Sequence, residues 1–592
     1  MASLNDAGPE RAVRGRAGSG PGVAAVVAVL ALFALVQAPD FLGVPLVGDD
    51  YIVLDKTRDA GLASVWAPRL LISHYYRPWS RELHFWLLQH LFGLRAAPFH
   101  LAGAALWLAV FALYFALVRR LAGTGTACLA TAAAGTLAGW GLLLVWTAGA
   151  QDLWMLLFAL LFLHALERGR AGWASAALVL ALLSKETAAL LPALALAHAL
   201  LVARLPFARA LRRVAPMLLL LAVWAALHPL LGGRFLWPHA EPAVPGLHPP
   251  LVRIALRTLL ALFNLEIWPR PEAGWLAVLP RAVAGALLLG GLAAWGLAAG
   301  GARAPVTPAQ PPAARVAFFG AAWALLGWLP LLMPTLGWHA YYALLGALGA
   351  WLALAVVLAH RWWAGVAVVA ALAVLRTGLA ATPAEDWGTE WFQRRAATFT
   401  ARAHEALLGL RPALPRGSRV YLAGLPGGTG LVPGHDESPV LRVWYRDPAL
   451  RVAVLERYRR RAAGDTAGID VFFRFDFEAG WREVAKGAED LAHADASPRW
   501  RVDHERLAVA LSRGGDWAAA AGEYVKLAEA FPGNATYPYY AGLAFDVQGD
   551  SLEAARWLRR AVALPAADEE VRAAARALAP RGSLRRRGAE DP

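Results

Sequence analysis

Lysine and cysteine are almost absent from this chain. Of its 57 Lys and Arg residues only Lys56, Lys185, Lys486 and Lys526 are lysines, and Cys128 is the one cysteine. A single thiol excludes a disulfide framework within the chain and leaves the redox compartment open. Charge is scarce too: 17% of the 592 residues are charged and 58% are hydrophobic, where an ordinary soluble domain has about 25% and 45–50%. A net charge of +14 can mean nucleic acid, but here the arginines cluster in short loops between apolar runs. No basic stripe with interleaved aromatics occurs in the polar part of the chain, which also argues against nucleic acid.

What is present is apolar sequence in long runs, such as Val23–Leu35, Leu106–Val118, Leu153–Leu166 and Trp351–Ala359. About 20 apolar residues cross a bilayer as a helix. Such runs fill residues 23–382 and stop there, so the lipid bilayer is the first expected partner. The spacing predicts about eleven spans, at 23–38, 98–118, 124–146, 152–166, 171–183, 187–203, 214–231, 281–299, 316–334, 341–359 and 363–381. Residues 253–267 are apolar but carry Arg253 and Arg257, and are read as an interfacial or re-entrant helix. Residues 1–22 form a cytoplasmic tail whose arginines precede an uncleaved first helix.

The arginines set the orientation. With the N-terminus in the cytoplasm, the cytoplasmic loops hold Arg119–Arg120, Arg168 and Arg170, Arg204 to Arg213, Arg303 and Arg315, and Arg361. Glu167 is the only acid among them. Basic loops on one side are the topology signal of a multi-pass protein. An odd number of spans sends the C-terminal part to the other side, periplasmic in a bacterial inner membrane.

That part has two sections. Residues 383–500 read as a small α/β unit, with a helix from Trp387 to Leu410 and strands at Arg419–Leu422, Val440–Tyr445 and Ile469–Phe475. The glycine-rich run at 424–430 lacks the Gly-Lys-Ser/Thr ending of a phosphate loop and reads as a turn. Residues 501–580 form a module in which 503–568 repeat at a spacing of 34 residues: Gly515 matches Gly549, Ala520 matches Ala554 and Tyr524 matches Leu558. This is the tetratricopeptide pattern, which binds protein partners on stacked helices. Residues 567–579 are expected to cap the stack, and 581–592 form a disordered tail.

Charge beside the membrane on the non-cytoplasmic side is costly and marks function. Asp49 and Asp50 follow the first span, and adjacent carboxylates there suit a general base or a divalent cation. Arg77 and Lys185 suit a phosphate. Glu186 adjoins Lys185, Asp152 opens the fourth span, His100 the second, and His339 and Tyr341 the tenth. Each also has a structural reading: a helix-ending acid, an aromatic–arginine anchor, a neutralised Lys–Glu pair, a hydrogen-bonded histidine.

Together, Gly48–Asp49–Asp50–Tyr51, Tyr75–Tyr76–Arg77–Pro78, Pro98–Phe99–His100–Leu101 and Leu183–Ser184–Lys185–Glu186 resemble the membrane region of C-type glycosyltransferases. The order and spacing of motifs match from about residue 40 to 200, and the nearest likeness is to protein O-mannosyltransferase-like proteins with C-terminal tetratricopeptide repeats. The resemblance implies a helical membrane bundle that transfers a sugar, mannose being one candidate, from a polyprenyl-phosphate carrier. The acceptor would be an extracytoplasmic protein Ser/Thr or glycan. It gives the catalytic role to Asp49 and Asp50. The family's arginine before a late span is replaced here by His339–Ala340–Tyr341–Tyr342. Phosphate binding then falls to Arg77, Lys185 or His339, or the activity is altered. The rival reading is a non-catalytic scaffold whose repeats bind a protein.

Overall fold

The computed structural model describes residues 21–67, 75–228, 250–267, 274–301, 311–332, 338–384, 386–426, 431, 438–455, 467–484, 498–564 and 572–573. They fall into two compact units, one running to Arg402 and the other from Ala403 onward.

The first unit is helical: α1 (Val23–Gln37), α2 (Asp49–Thr57), a π-helical turn (Pro78–Leu83), α3 (His84–Phe92), α4 (Ala96–Gly135), α5 (Ala138–Val145), α6 (Ala150–Glu167), α7 (Ala171–Leu182), α8 (Leu191–Leu201), α9 (Phe207–Leu227), α10 (Leu251–Leu262), α11 (Trp275–Gly301), α12 (Ala313–Trp328), α13 (Leu344–Leu358), α14 (Trp362–Ala380) and the start of α15 (Glu390–Leu410). Among the described residues seven helical stretches are long and apolar enough to cross a membrane, and three shorter apolar ones lie at Val23–Gln37, Ala171–Leu182 and Glu186–Leu201. Every predicted apolar run coincides with helix over most of its length.

Two of them differ in detail. The runs at 98–118 and 124–146 share the 40-residue α4, broken at Gly123 where φ is 85°. The second run then ends early, at Gly135, and restarts as α5. Non-helical backbone is tolerated among apolar helices only when its polar groups find partners. Asn264 supplies them: its Oδ1 accepts from Ala138 N at 3.0 Å, and its Nδ2 donates to Thr136 O at 2.9 Å and Leu372 O at 3.2 Å. Asn264 lies in the turn that ends α10. That helix has 12 residues, about 18 Å at 1.5 Å per residue, too short to span.

Small residues set the closest helix approach. A Cβ on Gly346 would fall 2.3 Å from the Trp328 ring, and one on Gly349 2.6 Å from Ala324 N. Glycines on α12 and α13 thus let the two backbones touch, as in other apolar helix pairs.

The second unit begins with the rest of α15 and contains a four-stranded sheet in the order β2-β1-β3-β4, made of β1 (Arg419–Ala423), β2 (Arg451–Val454), β3 (Asp470–Asp476) and β4 (Gly480–Val484). β1 lies parallel to β2 and β3, and β4 is antiparallel to β3. The predicted strand at Val440–Tyr445 is instead a helix, α16 (Pro439–Tyr445). Ser438 caps it and Pro439 occupies its first turn, the arrangement that starts helices. Of the glycine-rich run, Gly424 turns the chain after β1 with φ 71°, and 427–430 lie outside the described residues.

Four helices follow: α17 (Pro498–Arg513), α18 (Trp517–Ala530), α19 (Thr536–Val547) and α20 (Ser551–Ala563). Gly515 and Gly549 end α17 and α19 with φ 79° and 82°, and Asp516 and Asp550 cap the next helices. The predicted 34-residue period is therefore two helix–turn–helix pairs in register. The expected capping helix lies outside the described residues except at Arg572 and Ala573. Gly542 is the tightest point of the second pair: a Cβ there would lie 2.6 Å from Leu558 Cγ and 3.2 Å from Ala554 O. Gly542→Val is expected to destabilise this unit by about 1–3 kcal/mol through overpacking, read as a lower melting temperature of the purified protein. An unchanged melting curve would show that α19 and α20 separate freely.

Candidate active site

The first acidic pair sits at a forced turn. Gly48 has φ 52° and ψ −113°, a backbone state that glycine adopts without steric cost. It turns the chain so that α2 begins with Asp49 and Asp50. The two carboxylates then diverge. Asp50 is fully buried, with Oδ2 accepting from Val47 N at 2.9 Å and Oδ1 from Ala148 N at 2.7 Å. Burial pushes its pKa up to about 7, against the lowering pull of these N–H groups. Asp50 thus ties the start of α2 to the 147–149 turn. Asp49 faces a cavity of about 570 Å³. Among the described residues it has no hydrogen-bond or ion-pair partner. Burial raises its pKa above the ordinary carboxylate value, while the Arg81 and Arg77 charges pull it down.

The other charges on the cavity wall come from distant segments. The π-helical turn is pinned to the α7 end by Ser80 Oγ, which donates to Ser184 O at 2.7 Å, and Trp79 N, which donates to Leu183 O at 3.3 Å. This brings Arg77 to Glu186, with Nε 3.0 Å from each carboxylate oxygen and Nη2 2.6 Å from Oε2. Arg77 Nη1 also donates to Gln151 Oε1 at 2.6 Å. Lys185 Nζ lies 2.6 Å from both oxygens of Asp152 and 4.8 Å from the centre of the Tyr342 ring. Arg81 binds Glu82 Oε1 at 2.5 Å and Tyr75 O at 2.6 Å. The lining therefore holds Asp49, Arg77, Arg81, Asp152, Lys185, Glu186 and Tyr341. Two of its three acids are matched by cations and Asp49 is not. A further wall of Leu221, Trp224, Ala225, Leu329 and Pro330 makes one limb of the cavity apolar.

The remaining sequence candidates lie elsewhere. His100 has both ring nitrogens at 2.8 Å from backbone carbonyls of Leu144 and Val44, so it braces the bundle away from the cavity. His339 stands behind the wall. Its Nδ1 meets Asp386 Oδ1 at 2.8 Å, and Asp386 Oδ2 lies 3.4 Å from Arg257 Nη2. In front of it Trp387 lines the cavity. Arg257, Asp386 and Trp387 were not singled out from sequence. Arg257 in the apolar 253–267 stretch was the available signal, since buried charge calls for a partner. Among the described residues no group of three His, Cys, Asp or Glu side chains gathers to hold a metal, and Asp50 turns its oxygens away from Asp49.

No family model matches the chain, and no curated protein matches it. Two solved structures are similar, both of ArnT from Cupriavidus metallidurans. One, bound to undecaprenyl phosphate, is 19% identical with a TM-score of 0.38 and covers 72% of this chain and 86% of its own. The other, in the apo state, is 20% identical with a TM-score of 0.37 and covers 72% and 84%.

Proposed function

We propose that this chain is a membrane glycosyltransferase that takes a sugar from a polyprenyl-phosphate carrier. The observation that carries this reading is Asp49: a carboxylate with no partner among the described residues, in a cavity that also offers cations and an apolar limb. Lys185 and Arg77 would face the lipid phosphate, and Leu221, Trp224 and Pro330 the first units of the lipid tail. In the reaction the acceptor hydroxyl oxygen attacks the anomeric carbon, the bond from that carbon to the phosphate oxygen breaks, and the proton passes to Asp49. The phosphate leaves with the lipid, its charge stabilised by the cations already held in place.

The arginine-rich loops support an extracytoplasmic placement of this cavity and of the C-terminal module. The paired helices of 498–563 support recruitment of an acceptor, a protein or a glycan, in the manner of tetratricopeptide repeats; mannose is one candidate sugar. The test is turnover of a panel of polyprenyl-phosphate sugars by the full-length protein and by a form lacking 503–592. The shortened form is expected to retain slow release of sugar to water while transfer to the acceptor falls by about 10²-fold or more, the scale on which tethering acts. Absence of donor turnover by the full-length protein across the panel would remove the transferase reading and leave the scaffold.

A further inference from the structure

Trp387 is a large aromatic surface in the cavity wall. It is 38% exposed, and it lines the same cavity as Asp49. Its ring is flanked rather than covered: the His339 ring centre lies 4.0 Å away, and the rings of Trp146 and Tyr341 meet it steeply tilted at 6.0 and 6.1 Å. Its backbone is held firmly. Asp386 Oδ1 accepts from Gly388 N at 2.8 Å, and Trp387 O accepts from Gln393 Nε2 at 2.8 Å. Gly388 is required in this turn, because a Cβ there would fall 2.5 Å from His339 Nδ1.

An exposed indole in a cavity that also holds Asp49, Arg77 and Lys185 suits a ligand with an apolar face and a polar rim. A pyranose ring has both: axial C–H bonds on one face and hydroxyls around the edge. A phosphate or a polyprenyl chain has only one of the two. We infer that Trp387 is the platform on which the donor's sugar ring lies, and that His339, Asp386 and Arg257 are positioning residues that fix its angle. This rests on the transferase reading and adds to it the element that recognises the sugar. It also gives His339 a role other than phosphate binding.

The test uses the full-length protein, a polyprenyl-phosphate hexose as donor, and sugar-free polyprenyl phosphate as competitive inhibitor. Trp387→Ala is expected to raise KM for the donor about tenfold, the loss of one aromatic contact, with little change in kcat. The inhibition constant of the sugar-free lipid should stay as in the wild type, and Trp387→Phe should restore most of the loss. His339→Ala should raise KM in the wild-type background but not in the Trp387→Ala background, because it acts through the ring. An equal loss of affinity for both lipids would make Trp387 a packing residue and overturn the inference, as would an unchanged KM. Additive effects of His339→Ala and Trp387→Ala would overturn the positioning role. Wild-type turnover with an unaffected Trp387→Ala variant defeats this inference alone, whereas a wild type inactive on every donor defeats the transferase reading and this inference together.

Discussion

Asp49→Asn is expected to lower donor turnover by about 10²–10⁴-fold, the usual contribution of a positioned base, while leaving the fold unchanged. Asp49 has no partner among the described residues, so the neutral amide breaks no bond and leaves no buried group orphaned. The pH profile adds a second readout. A base acts only when deprotonated, and burial raises the Asp49 pKa above its ordinary 3.8. The wild-type kcat/KM should therefore rise with pH through a limb shifted upward from the ordinary aspartate value. The residual rate of Asp49→Asn should lack that limb. Full turnover by this variant in membranes would sink the assignment. Asp50→Asn should behave in the opposite way. Its amide can replace one accepting oxygen, but the NH₂ group then opposes either Val47 N–H or Ala148 N–H. An unpaired buried donor costs about 1–3 kcal/mol, so stability falls, and activity falls only as the 147–149 turn shifts. Thermal unfolding in detergent alongside turnover separates the two carboxylates that sequence treats as a pair.

Arg77→Met is expected to destabilise the first unit by about 3–5 kcal/mol, because it leaves a buried carboxylate without its cation. The side chain of Glu186 is 6% exposed and that of Arg77 13%, so water repays little of the loss. Glu186→Leu should cost a similar amount for the mirror reason. The double variant should cost much less than the sum, since both charges leave together and apolar side chains replace them. A double-mutant cycle on unfolding midpoints measures this coupling. Additive costs would mean that the pair is solvated through the cavity and contributes little. Neither single variant is expected to separate KM from kcat as Trp387→Ala does.

The apolar runs placed the helices of the first unit because run length and composition are local properties that a bilayer reads directly. The break between α4 and α5 was not legible. It depends on Asn264, 128 residues from Thr136, whose side chain stands in for the missing helical bonds. The segment 439–445 misled for another reason. Val440–Tyr445 is rich in β-branched and aromatic residues, which suits a strand, yet Val440, Leu441, Val443 and Trp444 are the buried positions. That i, i+1, i+3, i+4 stripe is helical, and Ser438–Pro439 announced it. The edge strand at Gly480–Val484 was missed because its polar pattern carries no buried alternation. The 34-residue repeat was readable, since its glycines and capping aspartates act within a single turn.

Sequence alone singled out the scarce charges in apolar surroundings, since such a charge is conspicuous without any structure. It could not determine how those charges are paired. Arg77 and Glu186 are 109 positions apart and Lys185 and Asp152 are 33 apart, so their neutralisation exists only once the helices have packed. The same packing split an adjacent acidic pair. Successive side chains on a helix point about 100° apart, which turned Asp50 into backbone N–H groups and left Asp49 facing the cavity.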